Sequence, residues 1–462
     1  MKKIEDFGLK VPEILLPANV DLSKWSVIAC DQYTQDLDYW KKAEACAAGS
    51  PSTLNLILPE VYLGAPDKSE RIAKIRQTMK EYLGDAGVPE ALEGPSKVFA
   101  PPFNGFIYIE RKTAFGRMRK GLVAQIDLET YEWEPFSKAN IRATEATIVE
   151  RIPPRKEIRK GAQLELPHIM LLVNDKDDVL VGGAGKLAKQ NAPLYSGNLM
   201  CNGGSITGWG LSSESELAGV TEAVAQIAEN NRAADGSTFL FAVGDGNHSL
   251  ATAKAVWDEY KAELVAGGAG DTELADNPVR YALVEIVNIY DKGLTFEPIH
   301  RVIFNADVPG LIKYLAKELD GTVSEVAGAG ELEAAVKASW ADFGFAYKDG
   351  GVQKYVLLKT NIKELAVARL QPKIDEFLKG AAGTGGAIGT GTAAPEIDYI
   401  HGSEEVLKLG ERENAVGILL PPIAKDSFFE TINGRGPLPR KSFSMGEADE
   451  KRFYLECRRL FS

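Results

Sequence analysis

Short apolar runs of strand length recur along this chain, and segments with helical spacing separate them. The runs are "SVIAC" (26–30), "FIYIE" (106–110), "LVAQIDL" (122–128), "IMLLV" (169–173) and "FLFAV" (239–243), and helical spacing appears at 36–47, 69–83, 143–152 and 214–231. Strands and helices in that order predict an α/β chain of mixed α+β type, with helices layered on a mixed sheet. Further on, "VRYALVEIVNIYD" and "LTFEPIHRVIF" predict two strands broken at Lys292-Gly293, with helices near 309–319 and 331–341. "KYVLLK" and "ELAVARL", on either side of Thr360-Asn361, predict a hairpin, and a last helix is expected from about Glu447 with Phe453, Cys457 and Leu460 on its seam.

With 462 residues, 45% of them hydrophobic, the chain can bury more than one core. The expected division is 1–235, 236–378, a glycine-rich linker at 379–395 ("KGAAGTGGAIGTGTAAP") and 396–462. No Lys-Ser/Thr pair closes those glycines into a P-loop, and "VLVGGAGKLAKQ" (179–190) fails the same spacing and predicts a turn and a short helix. Lys and Arg total 53 against 65 Asp and Glu, and a net charge of −12 argues against nucleic acid as the partner. No apolar run approaches membrane-spanning length and the start has charges and prolines where a signal peptide is apolar, so a cytoplasmic protein acting on a small molecule is expected. Oligomeric state has no signature here. Cys30, Cys46, Cys201 and Cys457 are scattered without a CxxC pair, which predicts buried, reduced thiols. The four histidines, at 168, 248, 300 and 401, form no cluster in sequence.

One junction concentrates chemistry. The "FLFAV" run meets Gly244-Asp245-Gly246-Asn247-His248-Ser249, and Leu250, Ala253, Trp257, Tyr260 and Leu264 then recur at helical steps. The two glycines permit positive φ and close approach of a ligand to the backbone. A helix start leaves N–H groups unpaired and carries partial positive charge, which suits an anion. Asn247 and Ser249 are candidate caps, and His248 is a candidate donor to a phosphate oxygen. Asp245 would repel a bare phosphate, so a Mg²⁺-nucleotide is expected, with Asp245 on the metal. Ordinary turn and cap chemistry accounts for the same residue types equally well.

The loop and its surroundings resemble a bacterial family known mainly as a domain of unknown function, whose members carry Asp-Gly-His-His-Arg or Gly-Asp-Gly-Asn-His-Ser after a strand. Matching stretches include "IACDQYTQDLDYW" (28–40), "IRATEATIVERIPPR" (141–155), "FEPIHRVI" (296–303) and "PRKSFSMGEADEKRFYLECR" (439–458). That family is more remotely similar to the ParB and sulfiredoxin-like superfamily, which includes kinases of free serine. The resemblance implies a core of that kind and a phosphate or Mg-nucleotide site, ATP foremost, lined by Gly244, Asp245, Gly246, Asn247, His248 and Ser249. Where that superfamily usually has Arg, this chain has Ser249.

The missing cation is sought elsewhere. Arg301, beside His300 in "PIHRV", follows a strand pattern, and Arg142, Arg151, Arg155, Arg440 and Lys441 are further candidates. Asp31, after "SVIAC", and Glu145, at a predicted helix start, are candidate catalytic carboxylates beside His248. The favoured reading is a nucleotide-dependent phosphotransferase acting on a small hydroxyl-bearing metabolite. A nucleotide- or phosphometabolite-binding regulator is the alternative. A metal-dependent hydrolase using Asp245 and His248 is the third.

Overall fold

The structure is a computed structural model that describes residues 2–84, 98–383 and 394–461. Most of the glycine-rich segment expected as a linker, 384–393, lies outside the described residues.

Two sheets carry the fold. Among the described residues, ten strands form the first. Its order is Tyr195–Asn198, Ser205–Leu211, Phe106–Lys112, Met118–Asp127, Tyr281–Asn288, Met170–Val173, Phe241–Asp245, Ile141–Ala143 and Tyr131–Glu132, with Leu9–Lys10 also on Met118–Asp127. Met170–Val173 runs parallel to Tyr281–Asn288 and antiparallel to Phe241–Asp245, so the sheet is mixed at its centre. The second sheet is antiparallel, in the order Thr322–Glu325, Val352–Lys359, Phe343–Asp349, Ala415–Leu419, Phe296–Phe304 and Glu396–His401, with Phe443–Met445 on the near end of Phe296–Phe304.

The central strands read as unbroken apolar runs because both of their faces are covered. Leu171 and Val173 pack with the helices Val181–Ala188, Glu214–Asn230 and Asn247–Ala266, whereas Met170 and Leu172 join the core shared with Phe296, Ile303 and Phe345 of the second sheet. Glu214–Asn230 forms where helical spacing is expected and begins at a capping box between Ser213 and Glu216. The helices Leu37–Ala47, Lys68–Leu83, Val308–Glu318 and Ala329–Lys337 likewise form where their spacing places them. The α/β layering is thus as expected.

Several segments differ. "SVIAC" is not a strand: Val27, Ile28 and Ala29 are buried, but Ile28 makes only a lone bridge to Phe453. Residues 143–152 do not form the expected helix, only a 3-10 turn at Val149–Arg151. The strand Ile141–Ala143 ends there, and the helix Ile152–Arg159 starts later with proline in its first turn, where the missing N–H costs nothing. "ELAVARL" enters the helix Ala366–Gly383 instead of a hairpin, burying Val367, Leu370 and Ile374 at steps of three and four. The C-terminal helix is absent from 453–457, which runs extended and buried on all sides, so Phe453 and Cys457 are core without helical spacing being the cause. Of the four free thiols only Cys457 is fully buried; Cys30, Cys46 and Cys201 are half-buried.

Candidate functional site

The strand Phe241–Asp245 delivers the turn, and the helix Asn247–Ala266 begins one residue later. Gly246 supplies the left-handed angle (φ +81°), and a β-carbon there would sit 3.1 Å from Ile169. Gly244 serves differently. Its φ is not positive, but a β-carbon would fall within 2.9 Å of Leu172 and Met445, so it is needed for space. Gly246 itself is the N-cap and no side chain caps the helix, so the expected caps do other work. Asn247 Nδ2 donates to Thr144 Oγ1 at 3.4 Å, and Ser249 Oγ lies 2.8 Å from His168 Nε2. The first N–H groups of this 20-residue helix therefore have no partner within it.

The turn forms one wall of a cleft of about 950 Å³. Asp31, Glu145, residues 244–249, Arg151, Arg155, Arg440, Lys441 and Lys451 all line it. Glu145 arrives in extended chain bridged to Leu438, not at a helix start, because the 438–445 segment lies alongside 144–146. Its Oε1 accepts from Ser442 N–H at 3.3 Å, yet burial, with the nearby Asp245 charge, raises its pKa from 4.5 to about 7. Asp31 goes the other way. Burial opposes its charge, but His168, the Gln32 amide and Lys451 outweigh that and hold it below the ordinary carboxylate value. Burial, then Arg151 and Arg155, lower the His248 pKa to about 4, so the imidazole is neutral at pH 7, and its Nε2 faces Ile148 N–H at 3.4 Å.

Lys451, which the sequence reading missed, pairs with Asp245 at 3.2 Å and also acts on Asp31 and Glu145. It lies in the 439–458 stretch that carries the resemblance, but the helix expected there gave no reason to aim it at Asp245. His168 was missed as well. Its Nε2 meets Ser249 Oγ and lies 3.9 Å from Asp31 Oδ2, and its Nδ1 meets Tyr454 Oη at 2.7 Å, which in turn accepts from Cys30 N–H at 3.2 Å. No local motif marks a group assembled from residues 30, 168, 249 and 454.

Other candidates lie elsewhere. His300 is buried, accepts from Leu420 N–H through Nδ1 at 3.0 Å and does not line the cleft. Arg301 is fully buried, donates to Gln371 Oε1 at 2.9 Å and to Ile299 O, and lies against the Tyr399 ring, which does line the cleft. Its Nη2 has no partner. Arg142 is held by Ala139 O and Asn433 Oδ1 over the Phe239 ring. Arg155 does line the cleft, but it is paired with Glu60. Among the described residues, no group of three or more His, Cys, Asp or Glu side chains is placed to hold a metal, so the hydrolase reading through Asp245 and His248 lacks a ligand set. Among them, too, no helix is long and apolar enough to cross a membrane.

Residues 15–377 match the family described as "Protein of unknown function (DUF1015)", and the chain belongs to that family. No curated protein matches it significantly. Solved structures similar to it include a free serine kinase variant in complex with AMP, at 10% identity over 72% of this chain and 90% of that one, with a TM-score of 0.37. A conserved hypothetical protein from Pyrococcus furiosus is 11% identical over 73% and 95%, with a TM-score of 0.34. A C-terminally truncated SbnI from Staphylococcus aureus is 9% identical over 70% and 83%, with a TM-score of 0.32. Likeness at this level assigns no residue and no activity.

Proposed function

We propose that the cleft binds a Mg²⁺-nucleotide, ATP foremost, and passes its phosphoryl group to a hydroxyl of a small metabolite. The supporting observation is the convergence on one cleft of an uncapped helix N-terminus, the cations Arg151, Arg440, Lys441 and Lys451, and a carboxyl with a pKa of about 7. Helix N–H groups and these side chains suit phosphate oxygens. Asp245 and the partnerless, buried Asn247 Oδ1 offer hard oxygens of the kind Mg²⁺ takes when phosphates and water complete its shell. The nucleotide would supply the phosphoryl group. Glu145 would accept the hydroxyl proton, since a base works best with its pKa near the working pH. Asp31, held ionised, and neutral His248 would orient the acceptor and polar ligand atoms. Phosphoryl transfer asks mainly for such positioning and charge neutralisation.

A regulator that binds without turnover is the second reading, favoured by the Lys451–Asp245 and Arg155–Glu60 pairs, which already neutralise part of the charge. Thermal shift with ATP, ADP, CTP, GTP and phosphate, each with and without Mg²⁺, on wild type and Lys451→Ala tests both. A Mg²⁺-dependent nucleotide shift, reduced in the variant, is expected. No shift with any nucleotide would end the phosphotransferase reading and leave the second only a phosphometabolite as ligand, and a nucleotide shift without ADP release across a panel of hydroxyl compounds would leave the second alone.

A further inference from the structure

A second cavity adjoins the cleft, and its chemistry is different. It measures about 140 Å³ and is walled by Leu56, Leu58, Leu63, Met79, Ile158 and Leu166, among others. Leu63, Glu60, Arg155 and Ser249 line both spaces, so the two meet at that edge. Glu60 and Arg155 neutralise each other there. Ser249 Oγ stands at the same junction, bonded to His168, which also lines the smaller cavity. An apolar wall behind a few convergent polar groups is the usual build of a small-molecule subsite.

We propose that this cavity receives an apolar group of the acceptor, either a branched aliphatic chain or a single aromatic ring, while the hydroxyl of that acceptor stays in the cleft. The inference rests on the phosphotransferase reading and names its substrate class. Size sets the limit. An apolar cavity of roughly 150 Å³ takes one benzene ring, so two fused rings or a long chain would not fit without rearrangement. Polarity sets the other limit: a sugar or a polyol would lose hydrogen bonds to water along the leucine and methionine wall, and most of the polar groups that share the lining, Glu60 with Arg155 and Arg159 with Glu165, are already engaged with each other. Ser249 and His168 at the junction then lie beside the polar end of the acceptor, with Ser249 within reach of both spaces.

Saturation-transfer NMR on the full chain with benzyl alcohol, 2-methylpropan-1-ol and ethylene glycol tests this. Transfer to the benzyl ring and to the branched methyls, and none to ethylene glycol, is expected in wild type. Leu58→Phe and Ala162→Leu each fill the cavity from a different wall and are expected to weaken benzyl alcohol binding by about tenfold or more. The Mg-ATP thermal shift of each variant, measured alongside, should equal that of wild type, which also verifies the fold. The inference is overturned by the absence of ring saturation in wild type, or by unchanged binding in both folded variants. Ring binding that both variants weaken, in a protein that gives no Mg-ATP shift, would uphold the apolar pocket and reject the phosphotransferase reading instead.

Discussion

The 244–249 turn and the 299–301 strand segment both put a histidine beside an apolar run, and both are candidate anion sites in sequence. In the structure they part. The turn ends a strand and opens a helix, so the first backbone N–H groups have no side-chain cap, and the side-chain Oδ1 of Asn247 is left without a partner at the cleft. The 299–301 segment sits mid-strand between Glu396–His401 and Ala415–Leu419, where the ladder and Gln371 take most of what Arg301 and its neighbours offer. Burial lowers both His248 and His300 to about 4, so titration does not tell the two apart. A binding site needs polar groups left over, and these collect where elements end.

The largest expected effect tests the backbone side of this contrast. Gly246→Val forces a β-branched residue into the left-handed region against Ile169 and should cost about 3 kcal/mol, against about 1 kcal/mol for Ile299→Val. Denaturant unfolding of both variants measures it, and equal costs would break the comparison. Next, Arg301→Met should lose about 2 kcal/mol of stability by stranding Gln371, with nucleotide affinity kept. Lys451→Met should weigh more on binding, costing about 1 kcal/mol of stability for the lost pair with Asp245 and about tenfold in Mg-ATP affinity by calorimetry.

The titrations sharpen it further. Glu145 keeps its proton in the folded state from pH 4.5 up to about 7, while the unfolded chain releases it, so stability is lost as pH rises through that window. Glu145→Gln should match wild type below pH 4.5 and be more stable above 7, while turnover falls if Glu145 is the base. His248 and His300 have the opposite slope, since the unfolded chain takes up protons that both folded imidazoles refuse between pH 6.5 and about 4. Acidification over that range should destabilise the wild type, and replacing both by Asn should flatten the curve. Ser249→Ala should cost about 1 kcal/mol for its bond to His168.

Where the reading of the chain failed, the failures share a cause. "SVIAC" and "ELAVARL" are short apolar runs, and a buried run of that length fits a strand, a helix or an irregular core segment until its neighbours are known. The segment 447–457 has helical spacing of Phe453 and Cys457, but beyond the short 3-10 turn Ala448–Glu450 the buried ion pair of Arg452 with Glu285 ties it to the first sheet. Misreading that segment concealed Lys451, which lines the cleft, and Tyr454, which lines the smaller cavity beside it.

Local chemistry within the sequence determined the layered α/β class and the turn at 244–249, because hydrophobic period and glycine placement act over a few residues. It also marked Asp31 and Glu145 as carboxylates worth following. Tertiary structure alone decided which candidates meet: it brought residues 31, 145, 245 and 451 to one cleft, set the two carboxylates' pKa values apart, and buried Arg301 away from it. Desolvation and the field of charges distant in the chain govern those outcomes, and both depend on packing that no single stretch encodes.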